Sequence, residues 1–356
     1  MTVQPIRDVR SRFEAELANR ILIKDGPYGT MIQALGFGED DFRHGAVAAD
    51  HGHDQKGNND LLNISQPNAI REICLQYLRA GADIVATNTF NANRISQADY
   101  GCEDLTAAIN KAAAEVTVAA ADQHARETGT RRAYVAGAVG PTNKTLSVSP
   151  KVTDPGFREV NFDQMKAVYR EQIDALLDGG VDIILVETVF DSLNAKAALM
   201  AVAEAGDVRG TEVPVMVSLT LTDMAGRNLS GQTPEAFWHS VRHANPLTIG
   251  LNCSFGATEM RPHLAALAGV AERPIAAYPN AGLPNDLGAY DEDAPTTAGL
   301  INDWAASGLV NVVGGCCGTT PAHIAAIREV VSAHPPRPLV DREPVMRLAG
   351  MEAVQF

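Results

Sequence analysis

Three times the chain repeats one phrase: a helical stretch, a glycine stop and a buried apolar run. AGADI leads into DIVATNTF at Asp83–Phe90, GGVDI into IILVETVF at Ile183–Phe190, and SGLVNV into the run that ends at Val313. Glycine supplies the left-handed backbone that ends a helix. A short β-branched run without alternation reads as a strand covered on both faces. Repetition of this unit builds a parallel sheet from βα modules. Eight runs qualify as strands: Ile21–Lys24, Ile84–Asn88, Tyr134–Val139, Ile183–Glu187, Val213–Leu219, Leu247–Asn252, Pro274–Tyr278 and Leu309–Val313. Helical patterns separate them; Met165, Val168, Tyr169, Ile173, Leu176 and Leu177 form one apolar stripe, and Pro67–Arg79 reads as a helix opened by proline. Eight alternations predict an α/β fold, a (β/α)8 TIM barrel. The alternative, a doubly wound open sheet, lacks the glycine fingerprint for a dinucleotide after the first strand.

In such a barrel the chemistry gathers at the C-terminal ends of the strands. Those ends carry Asp25, Thr87-Asn88-Thr89, Gly140-Pro141-Thr142, Glu187-Thr188, Ser218-Thr220, Asn252-Cys253, Pro279-Asn280 and Cys316-Cys317. The eighth end reads VVGGCCGTT, and adjacent cysteines in a relaxed chain are poorly placed to bridge each other. Two thiols presented together point to a soft metal, with zinc preferred, and Cys253 in LNCSFG offers a third sulfur. Barrel closure brings strands six and eight to one rim, on either side of Asn280. That residue is either a turn residue in PNAG or a further ligand. Cys74, at helical spacing with Ile70, Ile73, Tyr77 and Leu78, reads as core, as does Cys102. The polar stretch Gly36–Asn59 contains HGHD, which reads as a surface loop because no regular element fixes its histidine spacing.

Composition narrows the partners. With 43 acids against 29 bases the net charge is −14, which argues against nucleic acid or an anionic membrane. Five cysteines without framework spacing fit a reducing cytoplasm. The first twenty residues form a charged helical extension without the apolar centre of a signal peptide.

LNCSFG, YPNAG and VVGGCCGTTPAHI resemble the signature segments of the homocysteine S-methyltransferase barrel. KGNNDLLNISQP, ATNTFNAN, GAVGPTNKTLS and LVETVFDSLNAKAA further resemble the homocysteine-binding module of cobalamin-dependent methionine synthase. The likeness spans roughly Ile21 to Ala333. DGPYGT departs from the DGAMGT-like form, retaining Asp25 and Gly29 but bringing Pro27 and Tyr28 to the rim. The resemblance implies a barrel over residues 21–334 and a tail, 335–356, similar to an inter-module linker. It further implies one component of a split methionine synthase or a piece of a longer one, with a folate- and cobalamin-binding partner.

The resemblance assigns Cys253, Cys316 and Cys317 to zinc and catalysis, with Asn280 a displaceable ligand. Three thiolates leave zinc electron-rich, suited to holding a substrate thiolate and poorly suited to activating water. Homocysteine is then expected to accept a methyl group from methylcobalamin supplied by the partner. Asp25 and Glu187 are the acids implied for the substrate ammonium, with a helix cap or a supporting role as the alternative. Backbone amides near Gly26 and the polar segment Thr87–Thr89, Asn88 included, offer donors for its carboxylate. Two other classes fit the residues less fully: a self-sufficient methyltransferase using betaine or S-methylmethionine, and a non-catalytic thiolate-zinc protein.

Overall fold

The computed structural model describes residues 7–48, 50–286 and 288–356. The first six residues of the expected N-terminal extension lie outside them. Eight parallel strands form the barrel: β1 (Leu22–Ile23), β2 (Ile84–Ala86), β3 (Tyr134–Val139), β4 (Ile183–Val189), β5 (Val215–Leu219), β6 (Thr248–Asn252), β7 (Ile275–Tyr278) and β8 (Val312–Val313). Each pairs with its sequence neighbour, and β1 returns to β8 with Leu22 opposite Val312. The bridge from Lys24 to Ile84 and the 2.7 Å bond from Asp83 N–H to the Ile23 carbonyl join β1 to β2. The expected (β/α)8 barrel is the fold observed.

Six strands, β1, β2, β5, β6, β7 and β8, are shorter than their apolar runs, and two show why. Pro214 has no N–H for the ladder, so β5 starts after it. Leu309 closes the preceding helix by bonding to the Trp304 carbonyl, so β8 starts late. In contrast, β4 runs two residues further than its pattern, through a register irregularity between Val186 and Val189. Bulges of this kind re-aim side chains at barrel rims.

The repeated phrases share a structural task. Asp83 takes the Ile23 N–H at 2.9 Å, Asp182 takes Val135 N–H at 2.8 Å, and Asn311 takes Ile275 N–H at 2.8 Å. In each case the polar residue leading into a strand satisfies an amide of the strand before it. Helix Arg7–Leu17 covers this end of the barrel, burying Val9, Phe13 and Leu17 among Leu22, Ile84, Tyr134 and Ile183. The rings of Phe13 and Tyr134 meet edge to face at 5.1 Å.

After the last barrel helix, Pro321–Val331, the chain ends in an antiparallel hairpin, β9 (Arg347–Ala349) and β10 (Ala353–Gln355). Gly350 and Met351 at its turn accept bonds from Gln232 and Thr233. Within Gly36–Asn59 the loop contains one short helix, Glu39–Arg43, pinned by buried Phe42. His51 there sits 2.8 Å from the Tyr100 carbonyl.

Candidate functional site

Cys253 leaves β6 in left-handed backbone at φ 61, and Ser254 follows at φ 64. Each such non-glycine residue costs about 1–3 kcal/mol, and such strain gathers at functional sites. The turn is held by Cys253 N–H on the Tyr278 carbonyl at 3.0 Å and Phe255 N–H on the Cys253 carbonyl at 2.7 Å. The Cys316–Cys317 pair leaves β8 through two glycines. A Cβ on Gly314 would lie 2.7 Å from the Lys24 carbonyl, and one on Gly315 would lie within the Thr319 side chain. Cys316 N–H then bonds the Pro279 carbonyl at 2.8 Å, tying the pair to the end of β7.

These turns bring three sulfurs from β6 and β8 to within 4.8 Å of one another. Cys253 and Cys317 lie 3.8 Å apart, far beyond a disulfide. Two sulfurs bound tetrahedrally to zinc at about 2.3 Å stand about 3.8 Å apart, so the spacing and the soft donor set both fit that ion. Among the described residues this is the sole cluster of metal-ligating side chains so compact. The thiols already share charge. Hydrogen bonds from Cys253 and then Cys316 draw Cys317 far below the ordinary thiol range, while donating to its two neighbours pushes Cys316 well up.

The sulfurs open on a cavity of about 550 Å³ at the mouth of the barrel. Gly26, Thr87, Asn88 and Glu187 line it, as expected. Gly26 is required by packing, since a Cβ would meet the Tyr77 hydroxyl at 2.8 Å. Thr87 and Asn88 are partly engaged, Thr87 by the Ala138 N–H at 3.0 Å and Asn88 with the Asn59 carbonyl at 2.7 Å. Glu187 accepts no hydrogen bond from any described residue, and burial raises its carboxyl above the usual range, with Lys24 opposing.

Two expected residues are engaged elsewhere. Asp25 is fully buried, one oxygen 2.8 Å from Lys24 Nζ and the other 2.7 Å from Ala86 N–H. Both oxygens are committed inside the protein. Asn280 is also buried, and its amide oxygen takes the Cys317 N–H at 3.1 Å. In this arrangement it clamps the cysteine loop through the backbone.

Three residues were missed by sequence reasoning, and a fourth, Asn252, was named there only as a strand end. Lys24 lines the cavity, and its ammonium lies 5.0 Å over the Tyr278 ring. Tyr278 lines the same wall with a buried hydroxyl that has no partner among the described residues. Tyr290 reaches in from the loop after β7; burial, followed by the Cys317 and Cys253 sulfurs, pushes its hydroxyl up to about 12. Asn252 holds Thr188 N–H at 3.0 Å and the Ser218 hydroxyl at 2.6 Å, and its amide nitrogen lies 4.0 Å from Cys316 Sγ. Its position before Cys253 was the available signal. The lysine gave none, because at the end of a strand it reads as an ordinary snorkelling side chain.

The model of the family described as homocysteine S-methyltransferase matches residues 22–331. The metallated form of the homocysteine methyltransferase MmuM from Escherichia coli superposes with a TM-score of 0.68 at 24% identity. That match covers 92% of this chain and 99% of the other. Its oxidised form gives a TM-score of 0.67 at 24% identity over 87% of this chain and 95% of the other. At these identities the structural likeness shows the shared barrel.

Proposed function

The chain belongs to the homocysteine S-methyltransferase family, and from that premise we propose that it binds homocysteine at Cys253, Cys316 and Cys317 and presents its sulfur to a methyl donor. The observation that carries this reading is the convergence of three cysteine sulfurs on the cavity at the mouth of the barrel. Zinc held there supplies the charge that deprotonates a substrate thiol and keeps it nucleophilic. The protein's own groups do the rest. Glu187, unpartnered in the cavity wall, accepts the substrate ammonium. The strained Cys253–Ser254 turn and the Asn280 clamp on Cys317 hold the sulfurs in register. Asn280 also remains a candidate for the position that the substrate sulfur takes over. Methyl transfer then forms one S–CH3 bond and breaks one bond between methyl and its carrier.

The donor in this reading is methylcobalamin, brought by a folate- and cobalamin-binding partner chain or module. What supports it is the likeness of KGNNDLLNISQP and ATNTFNAN to the cobalamin-dependent branch; Asn59, Asp60 and Thr87–Asn91 from these segments line the cavity.

The test supplies zinc-loaded protein and homocysteine with methylcobalamin, betaine or S-methylmethionine and measures methionine. Transfer from methylcobalamin alone is expected, lost with its zinc in Cys316→Ala and retained in Cys74→Ala. Transfer from betaine or S-methylmethionine would move the chain to the self-sufficient branch. Full activity in Cys316→Ala would overturn the site.

A further inference from the structure

Resting on the reading that this cavity takes an amino-acid thiol, we propose that Lys24 is its carboxylate-recognition residue. The charges in the cavity make the case. An amino-acid thiol brings an ammonium and a carboxylate on one carbon, so an acid and a cation must face the same small volume. Glu187 supplies the acid. Among the described residues that line the cavity, Lys24 is the sole lysine or arginine. Asp25 pairs with it, and Glu187, Asp60 and three cysteines line the same cavity. A substrate carboxylate entering that field without a cation would pay both desolvation and repulsion.

Lys24 is built for fixed placement. Its side chain is 6% exposed, and its ammonium is held at 2.8 Å by Asp25. Asp25 is in turn fixed by the Ala86 amide of β2. One of the three ammonium protons is thereby used. Beside it, the Tyr278 hydroxyl lacks any partner among the described residues, giving a second donor on the same wall. Asp25 thus acts as a positioning residue for the lysine, and Glu187 meets the substrate ammonium. The pocket reads the two ends of the amino acid with two different residues.

The test measures calorimetric binding of three thiols to the zinc-loaded full chain. They are homocysteine, 4-mercaptobutanoate (carboxylate without ammonium) and 3-aminopropane-1-thiol (ammonium without carboxylate). Lys24→Met should weaken the first two by about tenfold or more, the loss of one charge-assisted contact, and leave the third within about twofold. Lys24→Arg should keep the wild-type ranking. Lys24→Met with Asp25→Asn removes both charges of the buried pair, guards against misfolding and should repeat the selective loss. Equal weakening of all three thiols, or unchanged homocysteine binding, overturns the assignment and makes Lys24 a partner of Asp25 only. Wild-type protein that binds no homocysteine overturns the underlying reading and this one with it.

Discussion

The two ends of the barrel use one backbone device for different purposes. At the base, Asp83 bonds the Ile23 amide and pairs with Arg20, whose side chain is 45% exposed; Asp182 bonds the Val135 amide and pairs with Arg132. At the mouth, Asp25 bonds the Ala86 amide and pairs with Lys24, which is almost wholly buried. A half-exposed cation is solvated whether or not it is paired, so the base pairs tie strands together with little at stake. A buried cation has no such alternative, and its pairing fixes it in place. The base is closed by Phe13 against Tyr134, whose ring also lies under Arg12 and Arg131. The mouth instead carries three clustered cysteine sulfurs, the left-handed Cys253–Ser254 turn and the cavity on which they open. The same fold is stable at one end and chemically poised at the other.

The sharpest way to break this division is at the base. Phe13 is fully buried, so Phe13→Ala should cost about 3–5 kcal/mol in urea unfolding. Zinc bound per folded chain should stay at the wild-type level. A loss of zinc from the folded fraction would mean the two ends are coupled.

The next effect compares the two aspartates directly. Asp25→Asn strands a buried ammonium and should destabilise by about 3 kcal/mol. Asp83→Asn, with an exposed partner, should cost about 1 kcal/mol. Equal losses would show that the burial difference does not matter. Adding Lys24→Met to Asp25→Asn should recover part of the first loss, read as a coupling energy in a double-mutant cycle.

A further effect is a pH dependence. Asp60 lies buried in the cavity lining, and burial pushes its carboxyl up to about 7, against the Asn91 amide that lowers it. A carboxyl with a raised folded-state value contributes stability that is fully present below its unfolded value of about 3.9 and lost as pH rises through the folded one. Wild-type stability should therefore carry a falling component from about pH 4 to 7. Asp60→Asn should lack it, as urea midpoints across that range will show. Superimposable pH profiles would mean Asp60 titrates normally.

Much of this was legible in the chain. The repeated helix–glycine–strand phrase led to eight strands, and helix Pro67–Arg79 appears with the bounds expected. Cys253, Cys316 and Cys317 stood out because strand ends are readable from apolar runs, and barrel closure then makes neighbours of β6 and β8. The bulge in β4 was not legible, since it depends on register with β5 and not on the pattern of Ile183–Glu187.

What the sequence alone determined is the periodicity, and with it the barrel and the rim on which each polar residue sits. Only the tertiary structure decided how those residues pair. Asp25 and Lys24 are neighbours in any conformation, yet sequence cannot say that both are buried, that Ala86 takes the second oxygen, or that Tyr278 is left unpartnered. Likewise, the Asn280 oxygen meets the Cys317 amide because β7 and β8 lie side by side. Periodicity is a local property of the chain. Burial and hydrogen-bond partners are set by what the other strands bring, and they decide which charges are held and which are left for a substrate.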